Sequence, residues 1–209
     1  MTNLRDVISQ YVELTDEEWK LWEEIIRVKH YKKGEQISFK DDIWTDFIFL
    51  KSGLIRSYII NNEGKEYTRQ FYFNTDESHL QHFFAIDYTS LLQQSPSCRG
   101  FEVLEDSEVL VYDIKSFYLL CDKYKIFEKI GRLVAEAAYF VMDRNYTRLF
   151  TQSTIERYEY ILTHMPNFVK RVPQYHIASY LGITPISLSR IKTQLEKEKN
   201  NLYFKDSLM

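Results

Sequence analysis

Apolar positions alternate in short runs through the first half of the chain and recur every three and four residues through the second. The pattern predicts strands first and helices after. One helix precedes the strands: Thr15 and Glu18 stand three apart as a capping box, and Trp19, Trp22, Ile25 and Ile26 share one face of a helix from about Thr15 to Val28. From Val28 to Tyr112 the segments DFIFL, LIRSYII, YTRQFYF, RGFEVL and SEVLVY are punctuated by Lys33-Gly34, Ser52-Gly53 and Asn62-Glu63-Gly64. Short strands joined by turns, with no long helix between them, favour an antiparallel barrel or roll over a parallel α/β sheet.

Helical spacing returns at Ile114 to Leu120 and again from about Tyr124 to Leu149. In the longer helix Phe127, Ile130, Val134, Ala137 and Val141 form one apolar stripe, and Leu133, Phe140 and Met142 form a second. Two stripes exceed what a single flank against a small β domain requires. One is expected to cover that domain and the other to pair with a second copy, with Phe127, Ile130, Val134, Ala137 and Val141 as the candidate dimer contacts. Ser153 or Thr154 then caps a helix to about His164, and Met165-Pro166-Asn167 breaks it.

The most specific pattern is Gln174 to Leu195, two short helices joined at a glycine. Ile177 and Leu181 share a face with Ala178 beside them, Gly182 and Ile183 follow, and Leu188, Ile191 and Leu195 repeat at three and four. Gly182 can take the positive φ that ends a helix abruptly, and Ala178 leaves room for a close crossing. Thr184 is the N-cap of the second helix, with Pro185 in its first turn. That leaves Thr184, Ile186, Ser187, Ser189, Arg190, Lys192 and Thr193 as candidate contacts to a DNA major groove. Lys170 and Arg171, in a predicted loop from Asn167 to Pro173, are candidate phosphate contacts.

Composition narrows the class. With 44% hydrophobic and 27% charged residues the chain is an ordinary globular protein, made aromatic-rich by 16 tyrosines and 14 phenylalanines. No apolar run approaches the roughly 20 residues that span a bilayer, and MTNLRDVISQ is no signal peptide, so a cytoplasmic location without a membrane partner is expected. Two cysteines, Cys98 and Cys121, are too few for a disulfide framework, a four-cysteine zinc site or an iron–sulfur cluster. The net charge of −3 hides a division: residues 1–163 carry 20 Lys/Arg against 27 Asp/Glu, and residues 164–209 carry 7 against 3. Local positive charge therefore falls on the segment holding the helix pair, where phosphate contact needs it.

The chain reads as α+β: an N-terminal antiparallel β-roll with its leading helix over residues 1–122, a long dimerisation helix over 123–150, and a C-terminal helical helix-turn-helix domain with a reduced wing over 151–209. This order resembles the catabolite-activator and fumarate-nitrate-reductase (CRP/FNR) family of bacterial transcription regulators. KKGEQISFKDD resembles the family's opening strand and turn, and FIFLKSGLIRSYIINNEGKEYTRQFYF its paired central strands with Gly53 and Gly64 at the turns. LEDSEVLVYD resembles the strand leading into the dimer helix, and VPQYHIASYLGITPISLSRIKTQL the recognition unit. The resemblance implies a cyclic-nucleotide-binding-like roll that senses an effector, a homodimer, and a second helix that reads a double-stranded operator. RNA polymerase is a further partner it suggests.

The departures are equally informative. Cyclic-nucleotide-binding members hold phosphate and ribose through a glycine-glutamate pair and a downstream arginine followed by a small hydroxyl residue. Here Ile86-Asp87 and Ser97-Cys98 stand in those places, and residues 74–99 contain no glycine. An anion without its arginine and close backbone amides loses its main contacts, so the effector is expected not to be cyclic AMP. The candidate effector pocket is Asp87, Tyr88, Ser97 and Arg99, with no cofactor or metal implied. His30, His79, His82, His164 and His176 show no haem-ligand pattern. In the recognition helix Pro185 and Ile186 replace the family's basic and acidic residues, while Arg190 matches a base-reading arginine suited to guanine. Two other readings remain: a ligand-independent regulator of the same fold, and a cupin-like metal-dependent enzyme whose only cluster would be His79 and His82 near Asp76 and Glu77.

Overall fold

The computed structural model describes residues 3–206, with side chains through residue 198. After Phe150 the chain divides into two compact units. The first holds α1 (Leu4–Ser9), α2 (Asp16–Glu23), β1 (Arg27–Tyr31), β2 (Gln36–Ser38), β3 (Asp46–Ile60), β4 (Glu66–Phe73), α3 (Leu80–Phe83), β5 (Phe84–Ala85), α4 (Tyr88–Gln93), β6 (Arg99–Asp113), α5 (Ile114–Lys123) and most of α6 (Lys125–Thr151).

The capping box starts α2: the Thr15 hydroxyl accepts from Glu18 N at 3.2 Å, and the Glu18 carboxylate accepts from Thr15 N at 2.9 Å. The helix is shorter than its apolar spacing predicts. It ends at Glu23, and Ile25 and Ile26 lie in the turn that swings the chain into β1, which pairs with β6 from Arg27↔Val111 onward. Trp22 is fully buried among Tyr112, Phe117 and Phe127, with ring centroids 5.6–5.9 Å away. Edge-to-face rings of this kind account for the aromatic-rich composition: they fill the core between helices and sheet.

All sheet pairings are antiparallel, and their spine is a ribbon of two 15-residue strands, β3 and β6. At one end β1 flanks β6 and β5 flanks β3; at the other β2 flanks β6 and β4 flanks β3. Both halves line one core, through Ile48, Phe49 and Val111 from one and Ile55, Phe101 and Val103 from the other. The expected turn at Ser52-Gly53 and the expected break between RGFEVL and SEVLVY are therefore corrected: each lies inside a continuous strand. Register shifts between Leu50 and Ile55 absorb the irregularity. Gly53 makes this possible, with φ of 112° and its backbone so close to Ser107 that an added Cβ would come within 2.7 Å of the Ser107 Cα. The expected turn at Gly64 is present and closes the β3–β4 hairpin, with the Asn61 side chain accepting from Glu63 N and Lys65 N.

Asp113 ends β6 and caps α5, accepting from Ser116 N at 2.9 Å. Helix α6 then runs 27 residues. Its expected dimer stripe is corrected by the fold. Phe127, Ile130 and Val134 are buried in their own core, Phe127 against Trp22 and Phe117, and Ala137 packs on the same core. Val141 is half-buried. The stripe that wraps the β domain is this one, so it offers a second copy little surface. What α6 exposes is its C-terminal half: Tyr139, Phe140, Met142, Tyr146, Leu149 and Phe150, each more than half exposed.

The second unit is helical over its described residues: α7 (Thr154–His164), α8 (Pro166–Arg171), α9 (Gln174–Leu181) and α10 (Pro185–Asp206). Ser153 and Glu156 form the capping box of α7. The predicted loop from Asn167 to Pro173 is instead mostly α8, because Pro166 occupies its first turn and Phe168 and Val169 find cover in the unit's core. No described helix is long and apolar enough to cross a membrane.

Candidate nucleic-acid interface

The sharp turn between α9 and α10 is built by the backbone of Gly182 and Ile183. Gly182 sits at φ 75°, ψ 23°, its N–H donates to Ser179 O at 3.2 Å, and Ile183 N–H donates to Ala178 O at 3.0 Å. This crossed pair is a Schellman motif, which satisfies the carbonyls left over at the end of α9. Helices α9 and α10 pack on each other, with Ile177, Ala178 and Leu181 buried on the first and Leu188 and Leu195 on the second. Ala178 is fully buried, as expected where two helices cross closely. A residue not singled out by the sequence holds the turn from behind: Arg157 on α7 donates to Leu181 O and to the Thr154 hydroxyl, both at 3.3 Å.

Helix α10 begins at its N-cap, Thr184, whose hydroxyl accepts from Ser187 N at 3.1 Å and lies 2.9 Å from the Ser187 hydroxyl. Thr184 and Ser187 are thus engaged with each other. At about 100° per residue, Ile186, Arg190, Thr193 and Lys197 fall within roughly 60° of one another, opposite Leu188 and Leu195. Burial agrees: Ile186 is 68% exposed, Ser189, Arg190 and Thr193 are exposed, and Leu188 is 1% exposed. Ser189, Arg190, Thr193, Gln194, Lys197 and Glu198 line a shallow groove of about 460 Å³. The sequence-derived set lacks Gln194 and Lys197; the continuing stripe 186, 190, 193, 197 is the signal that finds Lys197, and Gln194 borders that stripe. Lys192 lies on the flank, half-buried, donating to Gln174 at the start of α9 at 3.3 Å. Lys170 is exposed and Arg171 half-buried in the last turn of α8.

In the first unit, the fold brings together three of the four candidate effector residues. Ser97 Oγ donates to Asp87 at 2.5 Å, Arg99 reaches the other Asp87 oxygen at 3.5 Å, and Arg99 N donates to Ser97 Oγ at 2.9 Å. Asp87 and Ser97 are nearly inaccessible, and the same Asp87 carboxylate caps α4. This carboxylate is engaged by the fold itself. The Tyr88 hydroxyl is buried without a partner among the described residues, and burial holds its pKa well above the ordinary phenol value. A second guanidinium, Arg69 on β4, lies near enough to repel Arg99; burial first and that repulsion second lower its pKa. One strand, β3, separates Arg69 from Arg99 in the sheet, so spacing along the chain gives no hint of the pairing.

The His82 side chain serves the backbone. The His82 ring stacks on Phe73 at 4.4 Å and its Nδ1 accepts from His79 N at 3.0 Å, at the start of α3. Burial, with repulsion from His79 and Arg144 behind it, pushes the His82 pKa down to about 3, which keeps the ring neutral near pH 7.

No protein-family model matches the chain, and no curated protein matches it in sequence. Among solved structures it is similar to FixK2 from Bradyrhizobium japonicum, with a TM-score of 0.70 at 17% identity, covering 84% of this chain and 86% of that one. It is also similar to the c-di-GMP-responsive global regulator CLP of Xanthomonas campestris, with a TM-score of 0.65 at 13% identity over 87% and 91% of the two chains. The catabolite activator protein of Thermus thermophilus gives 0.53 at 17% identity over 89% and 85%. The chain thus shares the α+β fold of CRP/FNR-type transcription regulators across nearly its whole described length. At these identities the likeness is one of fold.

Proposed function

We propose that the protein is a homodimeric, sequence-specific DNA-binding transcription regulator of the CRP/FNR type, in which α10 enters the major groove. The observation that carries this reading is the α9–α10 pair: a glycine-locked turn, a fully buried Ala178 at the crossing, and an outward face bearing Ile186, Ser189, Arg190 and Thr193. An ordinary helical hairpin needs the inner residues but gives no reason for a small, polar and basic outer set at groove-reading positions. In this reading Arg190 reads guanine O6 and N7, and Lys170 and Arg171 contact phosphate.

Dimerisation fits the exposed half of α6. Tyr139, Met142, Tyr146 and Leu149 follow the three-four spacing of a coiled-coil seam, flanked by Phe140 and Phe150. Large exposed apolar residues concentrated on one helix mark an association surface. The β-roll is the sensing module of this reading, and its effector is not cyclic AMP, because the buried Asp87–Ser97 pair occupies the place of the phosphate-holding residues.

Selection of the purified full-length protein against random duplexes tests the proposal. The expected result is a twofold-symmetric motif with half-sites one helical turn, roughly 34 Å, apart. Recovery of no motif at any salt concentration would overturn it.

A further inference from the structure

Among the residues of α10 whose side chains the structure describes, the outward stripe opposite Leu188 and Leu195 is polar except at one position. Ile186 is 68% exposed, in the first turn, and shares its meridian with Arg190 one turn later. The other apolar residues of this helix that the structure describes turn inward: Leu188 and Leu195 are buried and Ile191 half-buried. Ile186 therefore does not serve the helix-pair core, and its immediate neighbour Ser187 is committed to the Thr184 cap. An apolar side chain at the leading end of a groove-reading helix has one base-edge feature to match in the major groove, the C5-methyl of thymine.

We infer that Ile186 is a specificity-determining residue that selects a thymine by contact with its 5-methyl group, beside the guanine read by Arg190. This deepens the DNA-binding reading and rests on it. Four residues along a helix advance about 6 Å, and stacked bases are about 3.4 Å apart, so the thymine lies one or two base pairs from the guanine. Ile186 carries no hydrogen-bonding group, so the contact discriminates by burial alone. Covering one methyl-sized group is worth roughly a fourfold change in affinity, and the twofold operator doubles the effect to about sixteenfold.

The test removes only the methyl group. In the duplex obtained by selection, each thymine of the half-site is replaced in turn, symmetrically in both half-sites, by deoxyuridine, and dissociation constants are measured at one fixed salt concentration. The full-length protein is expected to bind about sixteenfold more weakly at one thymine position within two base pairs of the guanine, and near wild type at the others. Ile186→Ala, which changes an exposed side chain and should melt as the parent does, is expected to bind the thymine and deoxyuridine duplexes equally. The inference is overturned if no thymine shows a methyl effect, or if Ile186→Ala retains it. Those results leave DNA binding intact. Absence of any selected motif instead removes the DNA-binding reading and this inference together.

Discussion

Replacing Tyr146 by glutamate should convert the proposed dimer into a folded monomer. Tyr146 is 64% exposed within its own chain, and an aromatic side chain buries about 150–250 Å² when fully covered, so roughly 100–150 Å² remains for a partner to cover. With about two-thirds of that area apolar and about 25 cal/mol per Å², each protomer contributes roughly 2 kcal/mol at this position. Twofold symmetry counts the change twice, giving about 4 kcal/mol, or about a thousandfold in the dimer dissociation constant. Glutamate adds like-charge repulsion across the axis. Light scattering near micromolar concentration should give twice the 25.2 kDa chain mass for the parent and the single mass for Tyr146→Glu, with the monomer's helical signal kept. Val134→Glu is the counterpart. Val134 is 4% exposed in its own core, so a carboxylate there is buried without a partner and the chain should lose its fold rather than only its partner. A Tyr146→Glu protein still dimeric at micromolar concentration would refute the seam, and a well-folded monomeric Val134→Glu would refute the assignment of that stripe to the intramolecular core.

On the selected operator Arg190→Ala should cost about 1–3 kcal/mol and relax preference at one guanine per half-site, read by competition binding at fixed salt. Lys170→Ala should weaken specific and nonspecific binding alike and make the salt dependence shallower by about one log–log unit per half-site. Gly53→Ala should lower stability in urea by at least about 2 kcal/mol, since positive φ and overlap with Ser107 add, whereas Gly182→Ala should cost only about 1 kcal/mol because its new Cβ meets nothing within 4 Å. The cap at Asp113 holds its pKa below the ordinary carboxylate value through Ser116, so its contribution is present above about pH 4 and lost as pH falls through the lowered value. Asp113→Ala should therefore destabilise by about 1 kcal/mol at pH 7, with the gap to the parent closing in melts below pH 4.

Local signals in the sequence determined the elements whose cause is local. The capping boxes at Thr15 and Ser153, the turn at Gly64 and the whole α9–α10 pair depend on side chains within a few residues of one another, so spacing alone revealed them. The outward face of α10 followed from helical periodicity, because one helix fixes which residues oppose Leu188 and Leu195. Tertiary structure decided the rest. Ser52-Gly53 carries a turn signal, yet the ribbon's long pairing with β6 turns it into a bulge, a competition that no local rule weighs. Pro166 was legible as a break, but only burial of Phe168 and Val169 makes the residues after it a helix. The two stripes of α6 look alike in sequence; which one meets the aromatic cluster around Trp22 depends on how the helix is rotated against the sheet. Arg69 and Arg99 approach across an intervening strand, and Arg157 reaches a carbonyl 24 residues away. Periodicity specifies which face of an element is apolar, and only packing specifies what that face touches.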